Sequence, residues 1–231
     1  MTAKRPDGRK PEELREMELE VGVIKNAKGS ARFRMGKTIA IAAVYGPREL
    51  YPKFLQNPER GIIRVFYDMF SFSVPDRKRP GPNRRSIEID LVLKKALESV
   101  VMLEEYPNSV IDIFVSIMQA NAGTRCAALT AASVALADAG IPMKDLMPAV
   151  TAGKIGDTVI ADLTKEEEDW EEGATDIPVA YSPVLDKVTL LQLDGKITKE
   201  ELKKAVDFAV AGCMKIYELQ KKVLKDKYNE S

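Results

Sequence analysis

Polar and apolar positions alternate with a period of two along several short runs in the first third of the chain. Residues 17–24 and 31–35 read as strands joined by Asn26-Ala27-Lys28-Gly29-Ser30, a hairpin connection. Residues 38–45 read as a third strand, stopped by Gly46-Pro47, and residues 62–67 as a fourth. The period then lengthens. Between 86 and 105 the apolar residues Ile89, Val92, Leu93, Ala96, Leu97, Val100 and Val101 recur every three or four positions, which predicts a helix ended by Pro107-Asn108-Ser109. Alternation returns at Ile111, Ile113, Val115 and Ile117, interleaved with Asp112, Phe114, Ser116 and Met118, as in a half-buried strand. Residues 124–138 are rich in alanine and leucine and predict a helix closed by Gly140 and Pro142.

The second half repeats this grammar, with strands expected at 149–153, 158–161, 177–181 and 188–193, the last running into an Asp194-Gly195 turn. Thr198 and Glu201 make a capping box for a final helix reaching about Lys225. Its apolar stripe is Leu202, Val206, Val210, Cys213, Ile216, Tyr217 and Val223. No low-complexity linker separates the halves, so one domain spanning 1–231 is expected. Its class is α+β, mixed sheets with helices packed on them.

Composition narrows the chemistry more than the fold. The chain has no histidine, which excludes Ser-His-Asp and Cys-His catalysis and histidine-ligated zinc. Its two cysteines, Cys126 and Cys213, lie in apolar helical contexts and read as reduced core thiols. Protons must then come from Asp, Glu, Lys, Tyr, Cys or a metal-bound water, and any metal must be a hard ion held by oxygens. The 35 basic and 35 acidic residues cancel, so polyanion binding over the whole surface is not expected. No apolar run approaches the ~18 residues of a membrane span. The opening residues lack a signal core. The expectation is a cytoplasmic protein with no membrane partner.

Three segments carry candidate chemistry. Gln119-Ala120-Asn121-Ala122-Gly123-Thr124-Arg125 joins a strand to a helix, where free N–H groups and the positive end of the dipole suit phosphate. Gly123 permits close approach, Thr124 offers a hydroxyl and Arg125 a planar fork for phosphate oxygens. An ordinary cap, with Thr124 as N-cap, gives the same pattern. A basic loop, Arg77, Lys78, Arg79, Arg84 and Arg85, follows Phe66, Tyr67, Phe70 and Phe72, a mixture that suits single-stranded nucleic acid. A solvated charged loop with the aromatics in the core reads equally well. Finally, Asp176 ends the acidic run from Glu166 and directly precedes a strand, where a carboxylate can hold Mg²⁺ or protonate a leaving oxygen.

Taken in order, these segments resemble the RNase PH family. Arg5-Pro6-Asp7-Gly8-Arg9 looks like its opening R-x-D-G-R, and 81–89 (GPNRRSIEI) like its arginine segment. Ala122-Gly123-Thr124-Arg125 is similar to its phosphate loop, and Leu191-Gln192-Leu193-Asp194-Gly195 to a late strand. Glu168-Asp169 and Thr175-Asp176 resemble its two acidic positions. The resemblance is to the catalytic ring subunit of an archaeal exosome in particular. It implies a fold of the ribosomal-protein-S5-domain-2 type with two β-α-β-α-like halves. It also implies phosphate-dependent 3′-to-5′ degradation of RNA, releasing nucleoside 5′-diphosphates and reversible to add tails. Inorganic phosphate is then a co-substrate, held by Gly123, Thr124, Arg125 and Arg85. RNA contacts fall to Arg64, Tyr67, Arg79, Arg84 and Arg85. Asp176 and Asp169 serve as catalytic and Mg²⁺-binding carboxylates. The implied partners are single-stranded RNA, a homologous inactive subunit alternating in a six-membered ring, and RNA-binding cap subunits.

One departure stands out. The family places its acidic pair six residues apart, whereas Asp169 and Asp176 are seven apart, so Glu168 or Glu171 competes with Asp169 for the first position. Two other readings remain open. A ring subunit that only threads RNA fits the neutral charge and the long amphipathic last helix. A small-molecule phosphotransferase is disfavoured by the absence of G-x-G-x-x-G and of G-x-x-x-x-G-K-[ST].

Overall fold

The alternating runs at the start of the chain build an antiparallel meander. β1 (Met17–Val21), β2 (Gly29–Met35) and β3 (Thr38–Glu49) pair in sequence, with Phe33 opposite Ala40 in the β2–β3 ladder. β4 (Ile62–Met69) then leads through α1 (Arg84–Glu98) to β5 (Ser109–Gln119). β5 inserts between β3 and β4, giving the order β1-β2-β3-β5-β4. β4 and β5 run parallel, and α1 is the crossover that a parallel pair requires. The computed structural model describes residues 5–76, 78–170 and 173–229, so Arg77 of the basic loop and Glu171 of the acidic run lie outside the described residues.

Several strand ends shift by a few residues from the sequence reading. The strand expected at 177–181 begins at Ala174, so Asp176 lies within it rather than before it. Two further boundaries differ for local reasons. β3 does not stop at Gly46-Pro47 but resumes pairing at Arg48, opposite Val110, past a register shift between Tyr45 and Arg48. The proline falls in that irregularity, where its missing N–H costs no ladder hydrogen bond. α1 occupies 84–98 rather than 86–105. It begins under a reciprocal Asn83–Ser86 capping box and ends at Ser99. The apolar period continues through Val100 and Val101, but Met102 N donates to Pro142 O and Lys144 N to Val100 O, which ties that stretch to another loop.

α2 (Thr124–Asp138) has the predicted limits and is buried almost all round. It lies between the first sheet, against β2 and β3, and a second sheet, which explains why its composition is apolar without being striped. The second sheet is fully antiparallel in the order β7-β6-β8-β9: β6 (Ala149–Ile155), β7 (Thr158–Ala161), β8 (Ala174–Ser182) and β9 (Lys187–Leu191). The halves are therefore not equivalent, since only the first contains a parallel crossover. A one-turn helix, α3 (Lys165–Glu168), precedes β8.

α4 (Lys199–Asn229) covers the second sheet and touches β1. The face it buries is Ala205, Ala209, Gly212, Cys213, Ile216 and Gln220. Small residues let the helix come close, and a Cβ on Gly212 would stand 3.2 Å from Val150 Cγ1. The larger residues of the expected stripe, Leu202, Val206, Val210, Tyr217 and Val223, flank this seam half-buried. One apolar cluster runs from Phe33 and Leu93 through Leu129 to Val150, Val179 and Ile216. Cys126 and Cys213 are free and buried, in line with the core-thiol reading. No helix among the described residues is long and apolar enough to cross a membrane.

Candidate active site

The loop between β5 and α2 is held by two side chains from outside it. Thr38 Oγ1 donates to Ala122 O at 2.8 Å and accepts from Asn121 N at 3.0 Å. Arg15 Nη1 donates to Asn121 O at 2.5 Å. Ala122 and Gly123 both adopt positive φ, 61° and 64°, a conformation glycine takes without strain. Gly123 is the N-cap and no side chain caps α2, so the ordinary-cap reading of Thr124 does not hold. Thr124 is instead the first helical residue, buried, and its hydroxyl accepts from Tyr67 Oη at 3.0 Å.

Two adjoining cavities lie at the start of α2, and the smaller of them opens on this loop. One of about 330 Å³ is lined by Gly123, Thr124, Arg125, Arg85, Thr151, Glu168 and Asp176 among others. The other, about 580 Å³, shares Arg85, Arg125, Lys165, Glu168 and Asp176 and adds Glu88, Asp169, Gln192 and Asp194. Arg85 sits in the first turn of α1 and Arg125 in the first turn of α2. Cations at the positive end of a helix dipole are unfavourable by about 0.3–1 kcal/mol each, which an incoming anion reverses. Gln192 holds Arg125 and links it to α1: its Oε1 accepts from Arg125 Nη1, and its Nε2 donates to Glu88 Oε1 at 3.1 Å.

Asp176 is fixed through its backbone. It pairs with Gly153 on β6, and on its other side exchanges two hydrogen bonds with Asp194, 2.8 and 2.9 Å. Gly153 is obligatory, because a Cβ there would lie 1.8 Å from Thr175 O. Asp176 Oδ1 is buried with no hydrogen-bond partner among the described residues. Burial pushes its carboxyl above the usual range, with Asp194 adding to the effect and Arg125 and Arg85 opposing it.

Glu168 stands beside it on α3. Burial and then the Asp176 charge push its carboxyl up to about 7. Asp169, one residue on, is at the rim, where it accepts from Lys165 Nζ at 2.6 Å with 62 % of its side chain exposed. α3 is anchored from beneath. Glu167 is fully buried and accepts from Arg5 Nε at 2.7 Å and Nη2 at 3.0 Å. Asp162, also fully buried, accepts from Arg9 and Arg15 side chains, with Arg15 Nη2 at 2.6 Å. The arginines of the opening segment thus tie α3 to the 121–123 loop.

The fold brings Arg85, Gly123, Thr124, Arg125, Asp169 and Asp176 together, as expected for one site. Tyr67 is not a stacking surface for RNA: it is buried behind Thr124, because its β-strand position faces the core. Arg64 lines neither cavity; it pairs with buried Asp112 at 2.6 Å on the open face of the first sheet. Arg79 and Arg84 are exposed and line neither cavity, although Arg84 directly precedes Arg85 at the start of α1. Sequence reasoning gave no role to Thr151, Lys165, Gln192, Arg15 or Asp162. Only the position of Gln192 in the late strand motif signalled any of them.

An α+β fold of two unlike sheets around a central helix, with two arginines beside half-buried carboxylates at the start of α2, is of the RNase PH type. The chain belongs to the 3′ exoribonuclease family: the model of its domain 1 matches residues 13–142 and that of domain 2 residues 145–212. It is 55% identical to the exosome complex component Rrp41 of Pyrococcus abyssi, over 97% of this chain and 90% of that protein. Identity to the Rrp41 of Nitrosopumilus maritimus is 52%, over 97% and 91%. Among solved structures, rice Rrp46 superposes with a TM-score of 0.84 at 27% identity, covering 95% of this chain and 100% of the other. A chain of the Archaeoglobus fulgidus exosome with RNA bound to the active site gives 0.80 at 24% identity, covering 93% and 92%, and speaks for the fold alone. The RNase PH-like architecture expected from the motifs is the one observed.

Proposed function

We propose that this chain is the phosphorolytic subunit of an exosome-like ring and shortens RNA from its 3′ end. The observation that carries the reading is the convergence of Arg85, Arg125, the Gly123 loop and Asp176 on adjoining cavities. Inorganic phosphate occupies the loop at the start of α2, held by Gly123, Thr124, Arg125 and Arg85. One phosphate oxygen attacks the terminal phosphodiester in line. A new P–O bond forms, the bond to O3′ breaks, and a nucleoside 5′-diphosphate leaves. The departing O3′ takes a proton from Asp176, whose raised carboxyl favours the protonated form needed for that step. The arginines offset the charge of two anions brought together, the main task in phosphoryl transfer. One phosphate linkage replaces another, so the reaction runs backwards when diphosphates are abundant.

Glu168, rather than Asp169, is the second acidic residue in this reading. Mg²⁺ fits the same pair: two hard oxygen donors, one with a buried and unpartnered Oδ1, are what the ion needs when substrate phosphates complete its shell. Asp176 and Glu168, both ionised, would hold it as the alternative to a protonated Asp176, and it would supply charge neutralisation for the leaving oxygen. No group of three or more possible ligands occurs among the described residues, so a dedicated protein cage is not implied. Exposed Arg79 and Arg84 guide single-stranded RNA towards the cavity. A homologous inactive subunit completes the ring, and cap subunits feed it.

Labelled RNA resolved by thin-layer chromatography tests the reaction. Nucleoside diphosphates should appear only when phosphate is added, and monophosphates would instead mean hydrolysis. Arg125→Ala should lose at least a hundredfold in phosphate-dependent decay, the scale of removing one transition-state charge contact. Normal activity in that variant would overturn the loop assignment.

A further inference from the structure

We propose that the Thr151 hydroxyl, delivered by the second sheet, is a further ligand of the inorganic phosphate. This inference rests on the phosphate-loop reading above. Thr151 lies on β6 and is 2 % exposed. Its backbone is committed, since Thr151 O accepts from Asp162 N at 2.6 Å. Its Oγ1 has no hydrogen-bond partner among the described residues. A buried hydroxyl left unpaired is costly, and a ligand that accepts its hydrogen removes the cost.

Position says which ligand. Thr151 lines the 330 Å³ cavity with Gly123, Arg125 and Asp176. A Cβ built on Gly123 would meet Thr151 Oγ1 at 3.5 Å and Arg15 Nη2 at 3.4 Å. The bare glycine therefore faces a hydroxyl from one sheet and a buried guanidinium from the opening segment. Four buried side-chain polar atoms lack partners among the described residues, Ser73 Oγ, Thr151 Oγ1, Asp176 Oδ1 and Gln220 Oε1. Two of them, on Thr151 and Asp176, line this one cavity. The loop and α2 supply backbone N–H groups from one side of the anion, and Thr151 donates from the other. A phosphate oxygen accepts that hydrogen; a hydrogen-bond donor alone could not.

The test compares Thr151→Val, Thr151→Ala and Thr151→Ser with Arg125→Ala, each purified in the assembly that supports phosphorolysis. Thr151→Val and Thr151→Ala should raise KM for phosphate roughly tenfold, the size of one hydrogen bond to a charged group. KM for RNA should stay at the wild-type value. The melting temperature of Thr151→Val without phosphate should be at or above wild type because the unpaired hydroxyl is gone, and stabilisation by added phosphate should shrink. Thr151→Ser should restore both phosphate readouts. Wild-type phosphate KM in both the valine and alanine variants, with Arg125→Ala impaired, overturns the role of Thr151 and leaves the loop standing. Wild-type phosphate KM in Arg125→Ala as well overturns the loop and this inference with it.

Discussion

Glu168 and Asp169 are neighbours in sequence with opposite surroundings. The Glu168 side chain is 26 % exposed and lines both cavities, whereas Asp169 is 62 % exposed and paired with Lys165. Spacing alone favoured neither, because the extra residue before Asp176 can be absorbed anywhere in a solvated run. The turn of α3 decides it, by aiming one carboxylate inward and its successor out. Glu168→Gln should therefore lower phosphorolysis by about 10²–10⁴, and Asp169→Asn should stay within about fivefold, the worth of an exposed ion pair. The reverse ranking in a rate assay would return Asp169 to the site. Stability gives an independent check. The Glu168 carboxyl goes from 4.5 to about 7 on folding, so the folded chain binds its proton more tightly. Stability from this group is fully present below about 4.5 and is lost as pH rises through about 7. Glu168→Gln should melt higher than wild type at pH 8 and match it at pH 4, in thermal scans across that range.

At the scale of elements, the site depends on how closely β6 and β8 approach. Gly153 stands opposite Asp176, and a Cβ there would overlap Thr175 O. Gly153→Ala should destabilise by about 1–3 kcal/mol, as overpacking does, and should lower activity further by shifting Asp176. Denaturant unfolding and the phosphorolysis rate, measured together, separate the two effects; an unaffected rate would mean the strand is not the positioning element. Nothing in the sequence marks Gly153, since a glycine in a short strand reads equally as a bulge. By contrast α2 was legible to the residue, because Gly123 and Gly140 punctuate an unbroken run of helix formers. β3 and α1 were misread only at their ends, where pairing across a bulge and a tie to Pro142 override local signals. The Arg15–Asp162 link was illegible for a different reason. It joins residues 147 positions apart, and a buried ion pair leaves no local periodicity. Tyr67 sat in an aromatic and basic stretch that suggested RNA, yet strand alternation turns it into the core beside Thr124.

For the whole molecule, 35 basic and 35 acidic residues leave no net field to draw RNA. Affinity for a polyanion must come from where the charges are placed. Arg85 and Arg125 line the cavities, Arg79 is exposed in the preceding loop, and Arg84 is exposed beside Arg85 at the start of α1. Each phosphate neutralised on a single strand releases counterions and adds about 0.7 to the slope of log affinity against log salt. Removing Arg79 and Arg84 together should flatten that slope by up to about 1.4 and weaken binding of all sequences alike, because backbone contacts carry no base information. Arg85 is kept in this variant, so the phosphate loop stays intact and the rate at saturating RNA should hold. Fluorescence anisotropy of labelled RNA at several salt concentrations, without inorganic phosphate, reads the slope directly. An unchanged slope would move the RNA path off the basic loop. Arg64, held against Asp112 on the open face of the first sheet, would then be the next cation to remove.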